Sequence, residues 1–430
     1  MVKIIGGGLA GCEAAWQLAN AGIKSCIYEM KPHKFTPAHH YSGLAELVCS
    51  NSLKASRHDS AAGLLKEEME TLGSLIVPCA KANAVEAGGA LAVDRERFSD
   101  MVTEKIHSHP LIEVIDEEVE TIPEGPVIIA TGPLTAGGLA ENIRRMCGDY
   151  LSFFDAAAPI VTFESLDMDK VFFASRYDRG DADYINCPMN KEEYLAFYNA
   201  LITAESAPLK EFDKRDFKVY EGCMPVEVLA RRGEDTMRYG PLKPVGLTDK
   251  RTGKRPYAVV QLRKENAQGT MYNLVGFQTN LKFAEQKRVF SMITGLENAE
   301  FVRYGVMHRN SFIDSPKLLE PTYALKSNHD IFFAGQITGV EGYIESAASG
   351  IMAGINMARH LRNEEPLVLP AETMIGALTA YISGGCSGEF QPMGCNMGIL
   401  PDLPVRIKDK KAKYTAYADR AIEALNRTIK

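Results

Sequence analysis

An α/β fold is predicted by three features of this 430-residue sequence. A short apolar run, Lys3-Ile4-Ile5, passes straight into glycines at positions 6, 8 and 11 and then into an alanine-rich helical pattern. A second run, Ser25-Cys26-Ile27-Tyr28-Glu29, closes on an acid eighteen residues after Gly11. A third, Asp330-Ile331-Phe332-Phe333, ends in Ala334-Gly335 near the far end of the chain and opens into another helix of small residues. Strand, glycine turn and helix in that order form the βαβ start that binds a dinucleotide. Gly6 permits the tight turn, Gly8 lets the backbone approach a pyrophosphate, and Gly11 lets the helix pack close to the strand. The phosphates are expected on the unpaired N–H groups of the helix N-terminus. Glu29 falls where an acidic side chain receives the hydroxyls of a ribose. The same glycine spacing occurs in plain loops, and the acid closing the second strand tells against that here. The prediction is a Rossmann-like domain built from both ends of the chain, residues 1–150 and 315–430, around an inserted α+β domain at 151–314.

After Glu29 the chain turns polar, with Pro32, Pro37 and the adjacent His39 and His40, and no regular element is expected. The two histidines have no third ligand at useful spacing, so no metal is expected. The segment Glu46-Leu47-Val48-Cys49-Ser50-Asn51-Ser52-Leu53 sets a cysteine among small polar residues. Its thiol is either within reach of a substrate or buried beside Leu47 and Val48, and composition favours burial. Residues 60–75 read as an amphipathic helix with Leu64, Leu65, Met69 and Leu72 on one side. Asp94 is placed to cap a helix that runs to about His107, with Arg97 kept out of the core. Short strands are expected at Ile112 to Ile115 and Pro126 to Ala130. The second leaves through Thr131-Gly132-Pro133, at a strand's carboxyl end, where α/β sheets place ligands.

From about 150 to 315 helical stretches thin out. Strand-like pieces at Ile160 to Phe163, Val171 to Ala174, Tyr257 to Leu262 and Thr270 to Phe277 accompany one helix, Lys191 to about Ala204. That texture predicts a mixed or antiparallel sheet in the insert. Within it, Glu221-Gly222-Cys223-Met224-Pro225-Val226-Glu227 offers a cysteine in a turn. Its acidic neighbours would raise its pKa, so a nucleophilic Cys223 needs a compensating base or cation. Lys243, Lys250, Arg251, Lys254, Arg255, Arg263 and Lys264 outnumber Asp249 and Glu265; the run is either solvated surface or the docking site of a polyanion.

The chain then returns to the first domain. Gly335, Gly342, Tyr343 and Ser346 stand where small residues at a helix start let a bulky ligand lie against backbone, and they join Gly6, Gly8, Gly11 and Glu29 as candidate cofactor contacts. Ser383 to Gly388 and Gly394-Cys395-Asn396 form a glycine-rich connection. Its cysteines, Cys386 and Cys395, are nine positions apart, which does not fit a zinc knuckle. A basic stretch, Arg406 to Lys413, precedes a last amphipathic helix from Tyr414 to about Lys430.

Bulk properties exclude several classes. The composition is that of a globular protein, 46% hydrophobic and 24% charged. No stretch approaches about eighteen uninterrupted apolar residues, so no membrane span is expected. No basic region followed by a long apolar segment opens the chain, which tells against secretion. Nine cysteines without a CxxC pair suit a reducing cytoplasm. A net charge of −7 tells against nucleic-acid binding over the whole surface and leaves a local basic groove open.

Five motifs together carry a resemblance: Ile5 to Ala15, Glu46 to Leu53, Glu221 to Glu227, His308-Arg309-Asn310, and Phe333 to Tyr343. The chain resembles, over essentially its whole length, the bacterial folate- and flavin-dependent tRNA (uracil-5-)-methyltransferase family. The glycine motif is shared with many flavoproteins, and the two cysteine segments are the specific part. The resemblance implies FAD held across both ends of the chain. It implies 5,10-methylenetetrahydrofolate as one-carbon donor, leaving tetrahydrofolate, with reduced FAD as methylene carrier and reductant and NADH or NADPH as electron source. The implied acceptor is C5 of a uridine in the T loop of tRNA. It further implies that Cys223 adds to uracil C6, while Cys49 acts near C5 and the flavin, in proton removal or a protective adduct. A related flavoprotein family that modifies the tRNA wobble uridine shares the flavin motifs and the Glu341-Gly342-Tyr343 turn. Its members normally continue as a helical carboxyl region, and the stop at Lys430 is expected to separate the two.

The chemistry suits those residue types. Uracil C5 is a poor nucleophile until a thiolate adds to C6 and converts the ring to an enolate; cysteine is nucleophilic enough to add and able to leave afterwards. Arg309 is a candidate to stabilise the enolate. The target base has to leave its folded loop to be reached, and Tyr343 is either a stacking residue or packing beside the flavin. A generic FAD oxidoreductase has no use for both cysteines, and a nonenzymatic RNA-binding scaffold needs neither.

Overall fold

The computed structural model describes residues 1–149, 151–178, 181–207, 224–385 and 390–429. Val2, Ile4 and Ile5 are buried, as a strand covered on both faces requires. The strand Val2–Ile5 lies inside a six-stranded sheet. The order is Ala324–Leu325, Asn328–Phe333, Val127–Ile129, Val2–Ile5, Ser25–Glu29, Ile112–Asp116. Ile4 is in register with Ile27 on one side and Ile128 on the other, and Phe332 is in register with Ile128. Every pairing is parallel except the outermost, Ala324–Leu325 against Asn328–Phe333. Strands from both ends of the chain therefore share one sheet, in the predicted α/β class.

The helix Leu9–Asn20 packs against the helix Tyr343–Leu361, and small residues set the approach. A Cβ on Gly350 would lie 2.2 Å from the Ala10 carbonyl oxygen, and one on Gly354 would lie 2.7 Å from that of Ala14. Backbone thus rests on backbone across the pair. Any larger residue at either glycine would push the helices apart.

The insert is built on a second six-stranded sheet, antiparallel at every pairing. Its order is Phe172–Phe173, Tyr184–Met189, Ala258–Lys264, Met271–Leu274, Ile160–Thr162, Phe301–Arg303. Tyr194, Phe197 and Leu201 of the helix Lys191–Thr203 and Val289 and Phe290 of the helix Phe283–Phe290 share a core with Val260 and Leu262 of that sheet. Asn190 and Glu193 close the start of the first of these helices as a capping box. The strands Leu151–Ala156 and Met307–Phe312 pair antiparallel where the chain passes into and out of this region. A small sheet of Ala84–Val85, Ala90–Val93 and Ser52–Ala55 adjoins the first domain's helices.

Local expectations hold with shifts at the ends. The helix Ala61–Thr71 buries Leu64, Leu65 and Met69, while Leu72 only caps it. The Asp94 carboxylate accepts from the Arg97 amide at 3.2 Å and starts the helix Arg95–His107. The last helix begins at Lys410, four residues earlier than the pattern suggested, because Asp409 caps it by accepting from the Ala412 amide at 2.7 Å. Positive charge at a helix start opposes the helix dipole, so the lysines read as a linker. Among the described residues no helix is long and apolar enough to cross a membrane.

Two buried carboxylates pin helices to one another. Glu68 accepts from the amides of Met374 (2.7 Å) and Ile375 (2.8 Å), at the start of the helix Met374–Ala380. Glu13 accepts from Leu75 (2.9 Å) and Ile76 (3.0 Å). Burial pushes Glu68 up to about 8 and Glu13 up to about 7, against the pull of those donors. A carboxyl whose folded value is raised stabilises the fold fully below its unfolded value, near 4.5. That stabilisation is lost as pH rises through the folded value. Raising the pH from about 6 to about 9 should therefore lower the stability to denaturant, and Glu68→Gln should remove part of that slope. Identical slopes in the two proteins would contradict the assignment.

Candidate cofactor and thiol site

The glycine turn after Val2–Ile5 is walled on three positions and open on the fourth. Gly6 has φ +102°, and a Cβ there would lie 2.6 Å from the Ala130 carbonyl oxygen. A Cβ on Gly11 would lie 1.9 Å from the Gly6 oxygen. Gly7, which the motif spacing does not single out, would press a Cβ to 2.5 Å from Leu44; its amide donates to Glu29 at 2.8 Å. Gly8 faces nothing within 4 Å. The helix therefore starts at Gly8 with room in front of it and no side-chain cap. Glu29 also accepts from the Lys31 amide at 3.1 Å, and its carboxylate keeps lone pairs for two hydroxyls. Gly335, at φ +84°, brings its missing Cβ to 3.2 Å from that of Ala10, and its amide donates to the Ser349 hydroxyl at 2.6 Å. Ser349 in turn donates to the Ser346 carbonyl, also at 2.6 Å. Gly6, Gly8, Gly11, Glu29 and Gly335 thus belong to one wall, with Gly342, Tyr343 and Ser346 at the start of the neighbouring helix. Bare amides beside an open space and a carboxylate at the end of the next strand fit a dinucleotide such as FAD.

The second helix start is also bare, with Gly342 at φ +122°. A Cβ there would meet the Glu345 carboxylate at 2.2 Å and the Lys54 amine at 2.7 Å. Lys54 pairs with Glu345 at 2.5 Å, and Glu345 also accepts from the Cys395 amide at 2.9 Å. Burial works against the Lys54 charge, but the acidic groups around it, Glu345 foremost, together outweigh burial and raise the lysine's pKa.

Tyr343 joins this helix start to the first cysteine motif. Its hydroxyl accepts from the amides of Cys49 (2.8 Å) and Ser50 (3.2 Å) and lies 3.0 Å from the Cys49 sulfur. Burial, then the nearby Cys49, pushes the phenol well above its ordinary value, so it stays neutral. Three arginines close the other side. Arg95 donates to the carbonyls of Leu47 (2.7 Å) and Val48 (3.3 Å), and Arg303 donates to the same Val48 carbonyl. Arg263 donates to the Asn51 side chain at 3.0 Å and the Ser50 hydroxyl at 2.9 Å. Cys49 itself is partly exposed rather than buried beside Leu47. Elsewhere burial pushes up the thiols of Cys12, Cys26, Cys79, Cys147, Cys187 and Cys395.

The basic run of the insert divides. Arg263 is 7% exposed, because its strand carries Val260 and Leu262 on one face and turns Arg263 toward Asn51 on the other. Arg251 pairs with Asp249, and Lys264 pairs with Glu86. Lys250, Lys254 and Arg255 remain exposed. Arg95 and Arg303 gave no motif; a buried arginine beside a helix cap is visible only once its partners are known. Cys223, with Glu221, lies outside the described residues, as do Cys386 and the side chain of Arg309. The described residues on either side of that stretch of sequence are held to one neighbouring segment. Val226 donates to the Gln278 carbonyl at 2.7 Å, and Ala207 donates to that of Asn280 at 2.7 Å. Glu227 accepts from Thr279 (2.8 Å) and Asn280 (2.7 Å), and burial raises its pKa.

Removing the phenol oxygen leaves the amides of Cys49 and Ser50 without their acceptor, at about 1–3 kcal/mol for a buried donor. Tyr343→Phe should accelerate hydrogen exchange at those two amides by roughly tenfold or more. Unchanged exchange there would show that the tyrosine does not hold the cysteine loop.

Comparison with known proteins follows the same outline. A family described as glucose inhibited division protein A (GIDA) matches residues 1–365. The methylenetetrahydrofolate–tRNA-(uracil-5-)-methyltransferase TrmFO of Acetivibrio thermocellus is 60% identical over 430 residues, 100% of this chain and 98% of the relative. The enzyme of the same name from Listeria innocua is 58% identical over 427 residues, 99% of this chain and 98% of the relative. Among solved structures, GidA of Aquifex aeolicus superposes with a TM-score of 0.71 at 17% identity, covering 99% of this chain and 73% of that one. At that identity the likeness is one of fold. The chain belongs to the GIDA family and, within it, to the methylenetetrahydrofolate–tRNA-(uracil-5-)-methyltransferases.

Proposed function

We propose that this chain methylates C5 of a uridine in the T loop of tRNA, drawing the carbon from 5,10-methylenetetrahydrofolate, with FAD as cofactor and NADH or NADPH as electron source. Family membership supports the reaction. The observation that carries it to a site is the junction of Tyr343 and Cys49. There a thiol from the first cysteine motif stands beside the bare start of the helix Tyr343–Leu361.

The two helix starts divide the binding work. Amides after Gly8 face an anion, Glu29 receives ribose hydroxyls, and Gly335, Gly342 and Ser346 line the approach to the second helix. Bound there, FAD supplies the carrying and reducing of the one-carbon unit. The chain's residues handle the uracil. Cys223 adds to C6, so that the ring becomes an enolate and C5 a nucleophile. Cys49 accepts the proton from C5: the carbon–hydrogen pair stays on the ring, and the proton bonds to sulfur. The ring then expels Cys223 as the product leaves. Tyr343 fixes the Cys49 backbone through two amides and stays neutral while it does so. A base buried in a folded T loop has to be extruded to meet these thiols.

The test is nucleoside analysis of an unmodified tRNA transcript after incubation with the protein, methylenetetrahydrofolate and NADPH. 5-Methyluridine is expected in the T loop. Cys223→Ala should abolish it, and Cys49→Ala should lower the rate by roughly 10²–10⁴. Full activity in Cys223→Ala would refute the nucleophile, and no 5-methyluridine from the unaltered protein would refute the function.

A further inference from the structure

The arginines around Cys49 carry an inference about its protonation. Arg95 opens the helix Arg95–His107, Arg263 lies in the strand Ala258–Lys264, and Arg303 ends the strand Phe301–Arg303. They bond to the carbonyls of Leu47 and Val48 before the cysteine and to Ser50 and Asn51 after it. Every residue flanking the thiol is therefore held by a guanidinium or by Tyr343. Among the described residues the carboxylate facing this group is Glu265, in ion pair with Arg95 and 4% exposed. The remaining titratable groups against it are the phenols of Tyr343 and Tyr184, both pushed up by burial and neutral. Among the described residues three cations thus meet one carboxylate in a largely desolvated place. Unbalanced buried charge is costly, and a thiolate at Cys49 offsets a second guanidinium.

We propose that Arg95, Arg263 and Arg303 are positioning residues that hold Cys49 as a thiolate before substrate arrives. The assignment deepens the reading of Cys49 as proton acceptor and rests on it. A thiol already carries its proton, so only the thiolate can take one from C5. As the C5–H bond breaks, an S–H bond forms, and the thiol afterwards returns its proton to water. Two of the three arginines belong to the antiparallel sheet and one to the first domain's helix. The thiolate is consequently favoured only while those parts stay docked. Asn51 secures that docking: its side chain donates to the carbonyls of Val93 (3.1 Å) and Lys264 (2.9 Å).

The test is the pH profile of Cys49 alkylation by iodoacetamide in the full-length, flavin-containing protein, resolved by peptide mass spectrometry. Cys395, half-buried, with its thiol pushed up by desolvation and by the adjacent Glu345, serves as a slow internal control. The unaltered protein should show a Cys49 midpoint at least one pH unit below the ordinary thiol value of about 8.5. Arg303→Gln and Arg263→Gln should each move it up by about one unit and slow alkylation near neutrality by about tenfold. Arg303→Lys, which keeps the charge and loses the fork, should recover most of the shift. A midpoint at or above about 8.5 in the unaltered protein overturns the proposal without recourse to any variant. So does a glutamine variant that folds and alkylates like the parent. A low midpoint in a protein that forms no 5-methyluridine would overturn the proposed reaction and leave the thiolate assignment standing.

Discussion

The contact on which the rest depends is the backbone approach of two helices from opposite ends of the chain. Gly350 and Gly354 leave no side chain between the helix Tyr343–Leu361 and the carbonyls of Ala10 and Ala14. Both helices then start on the same side of the parallel sheet, and neither has a side-chain cap. One start, at Gly8, looks onto open space; the other, at Gly342, carries Tyr343 toward the first cysteine motif. A one-residue enlargement at Gly350 would separate these two features, although neither belongs to that glycine.

From that contact the site acquires its chemistry by charge rather than by shape. Uncapped amides supply positive potential at the first helix start, and the acid at Glu29 is held in place by the Gly7 amide; the proposed function puts a pyrophosphate on the one and a ribose on the other. Around Cys49 the same logic runs with side chains. Arginines from two parts of the chain bond to the residues flanking the sulfur, and a neutral tyrosine fixes its amide. Six other cysteines of the described chain lie where burial keeps them protonated.

Much of the fold could be read in advance because it is local. The glycine spacing, the acid closing the second strand, the cap at Asp94 and the strand expected at Tyr257 to Leu262 each act within a few residues; the structure has the turn after Val2–Ile5, the cap at Asp94 and a strand at Ala258–Lys264. What escaped is long-range. Arg263 meets Asn51 from 212 positions away, so a residue that reads as part of a basic surface is a buried hydrogen-bond donor. Arg303 meets Val48 across 255 positions. The motif's spacing does not single out Gly7, yet Leu44 and Glu29 close on it through the fold. Partnerships of this kind have no periodicity and no spacing. The cysteine motifs were legible through resemblance rather than through pattern, since composition alone favoured a buried Cys49.

Under the proposed function both chain ends form one cofactor bed with Cys49 at its far end. A crystal structure of the flavin-loaded protein tests it most directly. The pyrophosphate should lie on the amides following Gly8, the ribose hydroxyls on Glu29, and the flavin ring beside Tyr343 with the Cys49 sulfur facing it. A flavin ring seated away from Tyr343 and Cys49 would rule that bed out.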